Sequence, residues 1–214
     1  MVQASVIKIT PFLVTSSLFL LKYPRYVQIN NIYVIFKCAP ILSLIFFVFQ
    51  NLKTSPRSDY SKRILTGLVL SGIADALICY KKFFLVAVAL FGIAHLIYIS
   101  SFGFKPLRLK IAFILGFIEF CLSYYLLPFV EDYTLKIILI GYVTILFSMI
   151  WRSISQVNLQ SYHSLPSIFG AIGSILFGVS DVFLCYFMFA QKFEYGNIVV
   201  MSTYYYAQAG IALS

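Results

Sequence analysis

The sequence predicts an all-α integral membrane protein with eight transmembrane helices in one bundle. Of its 214 residues, 61% are hydrophobic and only 11% are charged, whereas a soluble domain is about 45–50% apolar and about 25% charged. The mean hydropathy is +0.94. A chain of this composition has too little polar surface to coat a soluble globule of its size, so its apolar stretches are expected to face lipid.

The basic residues flank the apolar stretches and do not form one large basic patch. Lys81 and Lys82 are one example, and the group of Lys105, Arg108 and Lys110 is another. Lysine and arginine at the ends of spanning helices face water and anionic headgroups. The net charge of +9 therefore does not indicate nucleic-acid binding, and no nucleic-acid partner is expected.

The apolar stretches are long enough for eight spans, because about 20 residues of helix cross the hydrocarbon core. The predicted segments cover approximately residues 5–21, 32–49, 63–80, 83–102, 111–129, 135–151, 165–190 and 198–214. The first has no small-residue cleavage site before Lys22, which favours a spanning helix over a signal peptide. Because the loops are short, residues 1–214 are expected to form one membrane domain. His163 lies in the loop after the sixth segment.

Two of the predicted helices carry the same local sequence around a carboxylate. Residues 72–80 and 178–186 both read G-x-x-D-x-x-x-C-Y, with Asp75 and Asp181 at the acidic position. An Asp at membrane depth costs about 2.5–3.5 kcal/mol on insertion scales and therefore indicates a functional site. Segments three and seven cross in the same direction, which is the arrangement that a parallel repeat of two four-helix halves produces.

Several other polar side chains are expected at a similar membrane depth. At about 1.5 Å per residue, Lys37, Tyr204 and Gln208 reach the same half of the membrane as the two Asp residues. This half faces the loops after segments one, three, five and seven, and His95 lies near the middle. Since isolated charges avoid hydrocarbon, these groups are expected to converge on one polar pocket.

Each additional candidate also has a purely structural interpretation. Lys37 can extend to the nearby membrane surface, and His95 can form a hydrogen bond between helices. Glu119 in segment five can pack against a hydroxyl group. Residues 204–206 are also typical of an aromatic belt at the interface, and residues 151–152 of an anchor at the membrane edge.

Two neighbouring carboxylates with a basic partner suit general acid–base chemistry, in which one carries a proton while the other stays ionised. The sequence has no G-x-S-x-G elbow, no H-E-x-x-H motif and no glycine-rich phosphate loop. Its four cysteines lack metal-ligand spacing. Serine hydrolases, zinc hydrolases and nucleotide enzymes are therefore disfavoured, and no cofactor or metal is expected.

A set of short motifs recurs in a recognisable order along nearly the whole chain. They lie at residues 37–40, 72–77 (G-I-A-D-A-L), 94–98 (A-H-L-I-Y), 151–152 (W-R), 173–181 (G-S-I-L-F-G-V-S-D) and 202–208 (S-T-Y-Y-Y-A-Q). In these motifs the chain resembles the YhhN-type lysoplasmalogenases, an eight-helix membrane family with bacterial and animal members. It departs from the family pattern at Cys38 and Ala39.

The resemblance implies hydrolysis of the vinyl-ether bond of lysoplasmalogens to a fatty aldehyde and glycerophosphoethanolamine or glycerophosphocholine. It also implies the endoplasmic reticulum, where the animal members reside. On this hypothesis Asp75, Asp181 and His95 are catalytic, and Lys37 or Arg152 holds the phosphate of the lysophospholipid. The full set of expected substrate-binding residues is Lys37, Tyr98, Arg152, Tyr204, Tyr205 and Gln208.

The sequence leaves a second class of function open, namely a proton-coupled transporter or a lipid-binding regulator, because midplane carboxylates in parallel repeats are also typical of transporters. More of the loop lysines and arginines lie on the side of the N-terminus and of the loops after segments two, four and six. This bias favours cytosolic termini. Headgroup preference, chain-length preference, oligomeric state, the participation of a metal and which Asp is the acid remain open.

Overall fold

A computed structural model describes residues 2–25, 29–52, 57–158 and 165–214, and these residues contain no strand. His163 lies outside the described residues. Eight α-helices are present in the described ranges, which confirms the predicted fold class. They are α1 (Val2–Lys22), α2 (Asn31–Asn51), α3 (Ser58–Leu77), α4 (Phe84–Phe102), α5 (Leu109–Leu126), α6 (Tyr133–Ser155), α7 (Leu165–Cys185) and α8 (Gly196–Ala212).

Three short turns extend these helices. A 3₁₀ turn over Lys81–Phe83 precedes α4, another over Leu127–Phe129 follows α5, and a π-helical turn over Tyr186–Ala190 continues α7. The largest difference from the predicted bounds is in α3, which begins at Ser58 and ends at Leu77, whereas the apolar stretch suggested residues 63–80. The polar first turn of α3 is helical without being apolar, so hydropathy alone does not detect it.

Within the described residues, five helical segments are long and apolar enough to cross a membrane. They are Asn31–Asn51, Lys81–Phe102, Leu109–Phe129, Tyr133–Ser155 and Leu165–Ala190. Helix α3 differs because it carries charged residues in its first two turns and Asp75 near its end, and α8 has only 17 residues. The protein is a multi-pass integral membrane protein, and its more polar helices pack inside the bundle.

Contacts between helix ends define two faces of the bundle. Tyr60 near the start of α3 bonds Ser214 after α8, with 2.6 Å between the hydroxyl oxygens. At the other end, the Tyr33 hydroxyl donates to Asn197 Oδ1 at 3.1 Å, joining the start of α2 to the start of α8. We call the side of Tyr33 and Asn197 the cavity face and the side of Ser214 the terminal face.

Helix α8 is the central element of the bundle, since it packs against α1, α2, α3 and α7. Helix α6 joins α4, α5 and α7, and α5 lies on the outside against α6. In α5 only Leu126 is buried, and the Phe113 side chain is 77% exposed. An apolar helix that exposes its large side chains in this way is suited to contact lipid.

Helices α7 and α8 meet at two glycines that allow their backbones to touch. A Cβ atom on Gly173 would lie 2.6 Å from the carbonyl oxygen of Ala207, and one on Gly210 would lie 2.8 Å from Gly173 Cα. Small residues at helix interfaces permit such close approach in membranes. This contact holds the Asp181 helix against the Tyr204 helix.

The parallel repeat remains a prediction, and two observations are compatible with it. The offset between the two Asp motifs also relates Gly67 to Gly173 and Tyr98 to Tyr204. In addition, α2 packs against α8, and α6 packs against α4. In a repeat of four plus four helices, α2 corresponds to α6 and α8 corresponds to α4, so one of these contacts matches the other. The same offset thus links residues on four helices.

The α7–α8 contact leads to a stability prediction. Gly173→Ala is expected to lower the free energy of unfolding by about 1–3 kcal/mol, because the added methyl group meets backbone atoms that cannot move aside. Gly116→Ala is the matched control, since no neighbouring atom lies within 4 Å of a Cβ there. Thermal unfolding in detergent would measure both variants, and equal midpoints would contradict the close contact.

Candidate active site

A cavity of about 440 Å³ extends from residues of the cavity face, such as Tyr33 and Asn197, into the bundle. Pockets that bind small molecules commonly have volumes of about 300–1,000 Å³. The structure brings Asp75, Asp181, Lys37 and Tyr204 together in its lining. These residues come from α2, α3, α7 and α8, so the site exists only in the assembled bundle.

Most of the cavity wall is apolar. Helices α4 to α8 all contribute hydrophobic side chains to it, including Val88, Phe91, Leu122, Leu126, Val143, Leu146, Phe177, Val182, Val200 and Met201. An apolar wall around a few polar groups is the usual composition of a site that positions an organic ligand. The cavity is thus suited to a molecule with a hydrocarbon part and one reactive polar group.

Asp75 lies in the last turn of α3 and is 2% exposed. Its Oδ1 atom is 3.6 Å from the Lys37 ammonium, and that ammonium also donates to the Asp75 backbone carbonyl at 3.2 Å. The last carbonyls of a helix lack backbone donors, and here the Lys37 ammonium and the Cys79 thiol supply them. Lys37 therefore points into the bundle, and its extension to the membrane surface is excluded.

A chain of hydrogen bonds extends from the other oxygen of Asp75. The Tyr204 hydroxyl donates to Asp75 Oδ2 at 2.5 Å, and the Gln208 amide donates to the Tyr204 hydroxyl at 3.3 Å. Gln208 Oε1 accepts from the Tyr98 hydroxyl at 3.1 Å. Tyr98 and Gln208 are fully buried and do not line the cavity, so they support Tyr204 from behind.

Asp181 has a different set of partners. The Tyr142 hydroxyl donates to Asp181 Oδ2 at 2.5 Å, and His95 Nε2 lies 3.1 Å from the same hydroxyl. Because that hydroxyl gives its proton to Asp181, His95 Nε2 is assigned as a donor. His95 Nδ1 is buried without a hydrogen-bond partner, and the Phe177 ring lies edge-on to the imidazole. His95 is thus best described as a neutral imidazole behind Tyr142.

The two carboxylates are therefore chemically unequal. Asp75 is fully buried and ion-paired with Lys37. Asp181 is half-buried at the cavity wall, and it forms no ion pair with any residue that the structure describes. An ion pair stabilises the charged form of a buried carboxylate, whereas a carboxyl group without one is more easily kept as the neutral acid.

The remaining predicted residues lie away from the cavity lining. The Tyr205 hydroxyl donates to the backbone carbonyl of Lys37 at 2.8 Å. The neighbouring carbonyl lacks its helical hydrogen bond, because Pro40 has no backbone N–H. Arg152 lies at the terminal face, where its guanidinium donates to the carbonyls of Gly103 and Pro106 at 2.7 and 2.9 Å. Tyr205 thus supports α2, and Arg152 holds the loop between α4 and α5.

Glu119 accepts a hydrogen bond from the Thr144 hydroxyl at 2.6 Å, as its structural interpretation predicts.

Tyr142 was missed by sequence reasoning, because a single tyrosine in an apolar helix has no distinctive pattern. The repeat did offer one indication. When the offset between Asp75 and Asp181 is added to Lys37, it gives the position next to Tyr142. Both of these residues lie beside the Asp of their own half.

The described part of the chain contains no group of three His, Cys, Asp or Glu side chains that could hold a metal ion. Its four cysteines are free thiols. The polar side chains that line the cavity carry carboxyl, hydroxyl, thiol, carboxamide and ammonium groups.

The buried ion pair leads to a second stability prediction. Lys37→Met is expected to lower the free energy of unfolding by about 3–5 kcal/mol, because it leaves the Asp75 carboxylate buried without its cation. A further Asp75→Leu change should restore most of this loss. Lys62→Met is the control, since the Lys62–Asp59 pair is exposed and contributes at most about 1 kcal/mol. Unfolding in mixed micelles would measure this, and equal losses in the two single variants would contradict the buried pair.

Comparison with known proteins gives similar relatives along almost the whole chain. Lysoplasmalogenase TMEM86B of Sus scrofa is 31% identical over 207 residues, covering 96% of this chain and 85% of the relative. The Homo sapiens protein of the same name is 30% identical over 208 residues, with the same coverage. Lysoplasmalogenase TMEM86A of Bos taurus is 30% identical over 185 residues, covering 83% and 75%.

No solved structure matches the chain significantly. The sequence profile of the YhhN family matches residues 32–214. That range begins in α2 and includes Lys37, both Asp motifs and the Tyr204–Gln208 segment. The cavity residues therefore all fall within the matched region, apart from Ile29 at its edge, and the chain belongs to the YhhN family.

Proposed function

We propose that this protein is a lysoplasmalogenase, which hydrolyses the vinyl-ether bond of a lysoplasmalogen. The products are a fatty aldehyde and glycerophosphoethanolamine or glycerophosphocholine. Relatives that align with most of the chain carry the name lysoplasmalogenase. The observation that carries the proposal is that two unequal carboxyl groups face one apolar cavity.

The reaction needs an acid, a water molecule and stabilisation of a cation. Protonation of the β-carbon of the vinyl ether converts it into an oxocarbenium ion. Water then adds to the carbon next to the ether oxygen and loses a proton, giving a hemiacetal. The hemiacetal collapses to the aldehyde and releases the glycerol oxygen as an alcohol. One water molecule is consumed, and no oxidant or reductant is required.

We assign the proton donor to Asp181 and the stabilising charge to Asp75. Asp181 is exposed to the cavity and has no ion-pair partner in the described residues, so it can carry the proton that the β-carbon accepts. Its carboxylate then takes the proton from the attacking water and is ready for another turnover. Asp75, kept ionised by Lys37, stabilises the oxocarbenium ion electrostatically.

The remaining polar residues act as positioning residues. Tyr142, whose hydroxyl is held by His95, donates to Asp181 Oδ2, which leaves Oδ1 as the oxygen that is available to carry a proton. Tyr204 lines the cavity and holds Asp75, with Gln208 behind it. Such supporting hydrogen bonds keep catalytic groups in their productive geometry.

The proposal extends to the location of the protein. We place it in the endoplasmic reticulum membrane with both termini in the cytosol. The excess of loop lysines and arginines on the terminal face supports this orientation, and the resemblance to animal members supports the compartment. The cavity face would then lie on the lumenal side, and the substrate would be a lysophospholipid of that leaflet.

The central test is aldehyde release from lysoplasmalogen by the purified protein in detergent. Asp75→Asn and Asp181→Asn are each expected to lower kcat by about 10²–10⁴-fold, since each removes a group that acts on the reacting atoms. Glu119→Gln is the control, because Glu119 is an intramembrane carboxyl group that bonds Thr144 and does not line the cavity. Full activity of a folded Asp181→Asn variant would overturn the assignment, and an inactive folded wild type would favour a transporter or lipid-binding protein.

Tyr142 provides a separate test of how Asp181 is positioned. Tyr142→Phe keeps the ring and removes the hydroxyl between His95 and Asp181, so kcat is expected to fall about 10- to 100-fold with little change in KM. Tyr133→Phe, at the exposed start of the same helix, is the matched control. The proposed role predicts a changed pH profile of kcat only in Tyr142→Phe, and an unchanged rate and profile would contradict it.

A further inference from the structure

Two lysines that the proposed chemistry does not use line the cavity at the cavity face, and we call this part of the lining the mouth. Lys81 lies in the 3₁₀ turn before α4, and Lys192 follows the π-helical turn after α7. Both side chains are exposed, and both belong to the cavity lining. The lining carboxylates in the described residues are Asp75 and Asp181, which lie deeper. The mouth therefore presents positive charge above the two carboxyl groups.

Two other charged groups near the mouth have partners of their own. Glu194, the acid that follows Lys192 in the chain, pairs with Arg25 at 2.7 Å. The Lys82 ammonium, next to Lys81, lies over the Phe83 ring at 4.7 Å from its centre and is outside the lining. The lysines that line the mouth are thus Lys81 and Lys192.

The two cations first expected to bind phosphate are poorly placed for it. Lys37 is buried against Asp75, and Arg152 donates to backbone carbonyls at the terminal face, on the opposite side of the bundle. A phosphate within reach of Lys37 would have to enter the buried centre of the site and compete with the Asp75 carboxylate. The phosphate of a substrate that enters from the cavity face is therefore more easily held at the mouth.

We propose that Lys81 and Lys192 form the binding site for the phosphate of the lysophospholipid. This inference rests on the proposed function, and it assigns the headgroup end of the substrate. Two ammonium groups provide several donors and a complementary charge for a phosphate diester. Bound in this way, the glycerol carbons point inward and the alkenyl chain continues along the apolar wall.

The length of the substrate fits this placement. Lys81 follows Asp75 by six residues, and a helix of that length rises by about 9 Å, which sets the scale of the distance between their levels. In a 1-alkenyl lysophospholipid, seven bonds separate the β-carbon of the vinyl ether from the phosphorus atom. An extended chain advances about 1.2 Å per bond, which gives about 8 Å. With its phosphate at Lys81, the substrate thus places its vinyl ether near the level of Asp75.

The test compares two vinyl-ether substrates, 1-alkenylglycerophosphocholine and 1-alkenylglycerol, which lacks the phosphate. Lys81→Ala and Lys192→Ala are each expected to raise the KM for the phosphate-bearing substrate about fivefold, and the double variant about 25-fold. The preference of the enzyme for the phosphate-bearing substrate should fall by the same factors, with kcat little changed. Lys82→Ala, a neighbouring exposed lysine outside the cavity, is the matched control and should retain the wild-type preference.

Two outcomes would overturn the inference while leaving the proposed function intact. One is an unchanged preference in the double variant of an active enzyme, and the other is an equal rise in KM for both substrates. A wild type that hydrolyses neither substrate would instead overturn the proposed function. The phosphate site is then tested by binding, with lysophosphatidylcholine and monoacylglycerol as probes. Weaker binding of the first probe alone in the double variant supports the site, and equal binding to wild type and variant overturns it.

Discussion

The ion pair between Lys37 and Asp75 is the interaction on which the rest of the site depends. A carboxylate and an ammonium inside a membrane bundle are expensive unless each finds a partner on another helix. Here the pair joins α2 to α3, the Tyr204 hydroxyl joins both to α8, and the Tyr205 hydroxyl secures the α2 backbone beside Lys37. The need to satisfy two buried charges therefore orders three helices around one end of the cavity.

The second carboxyl group completes the site because its surroundings differ. Asp181 occupies the same position in its motif as Asp75 does, but its partners differ. Asp75 contacts an ammonium and a tyrosine hydroxyl, whereas Asp181 contacts a tyrosine hydroxyl that a histidine holds. Two identical side chains at one cavity thus have different partners, and different partners favour different charge states. This asymmetry is what proton donation and cation stabilisation require of a pair of carboxyl groups.

Much of the fold followed from hydropathy, because a membrane helix must satisfy its own backbone and cover it with apolar side chains. Eight segments became eight helices, and the largest error was at α3, whose polar start carries no hydropathy signal. The expected meeting of Asp75, Asp181, Lys37 and Tyr204 also agrees with the structure, since membrane depth can be counted from helix ends. Depth does not tell which way a side chain points, so Arg152 was grouped with residues on the other side of the bundle.

The sequence by itself determined the membrane class, the number of helices, the two carboxylates and the family resemblance. These follow from composition, periodic apolar length and local motifs, which are properties of short stretches of chain. Only the tertiary structure decided that Tyr142 bridges His95 and Asp181, that Gln208 and Tyr98 stand behind Tyr204, and that Lys81 and Lys192 line the mouth. Such contacts depend on helix rotation and on which helices are neighbours, and packing between distant parts of the chain sets both.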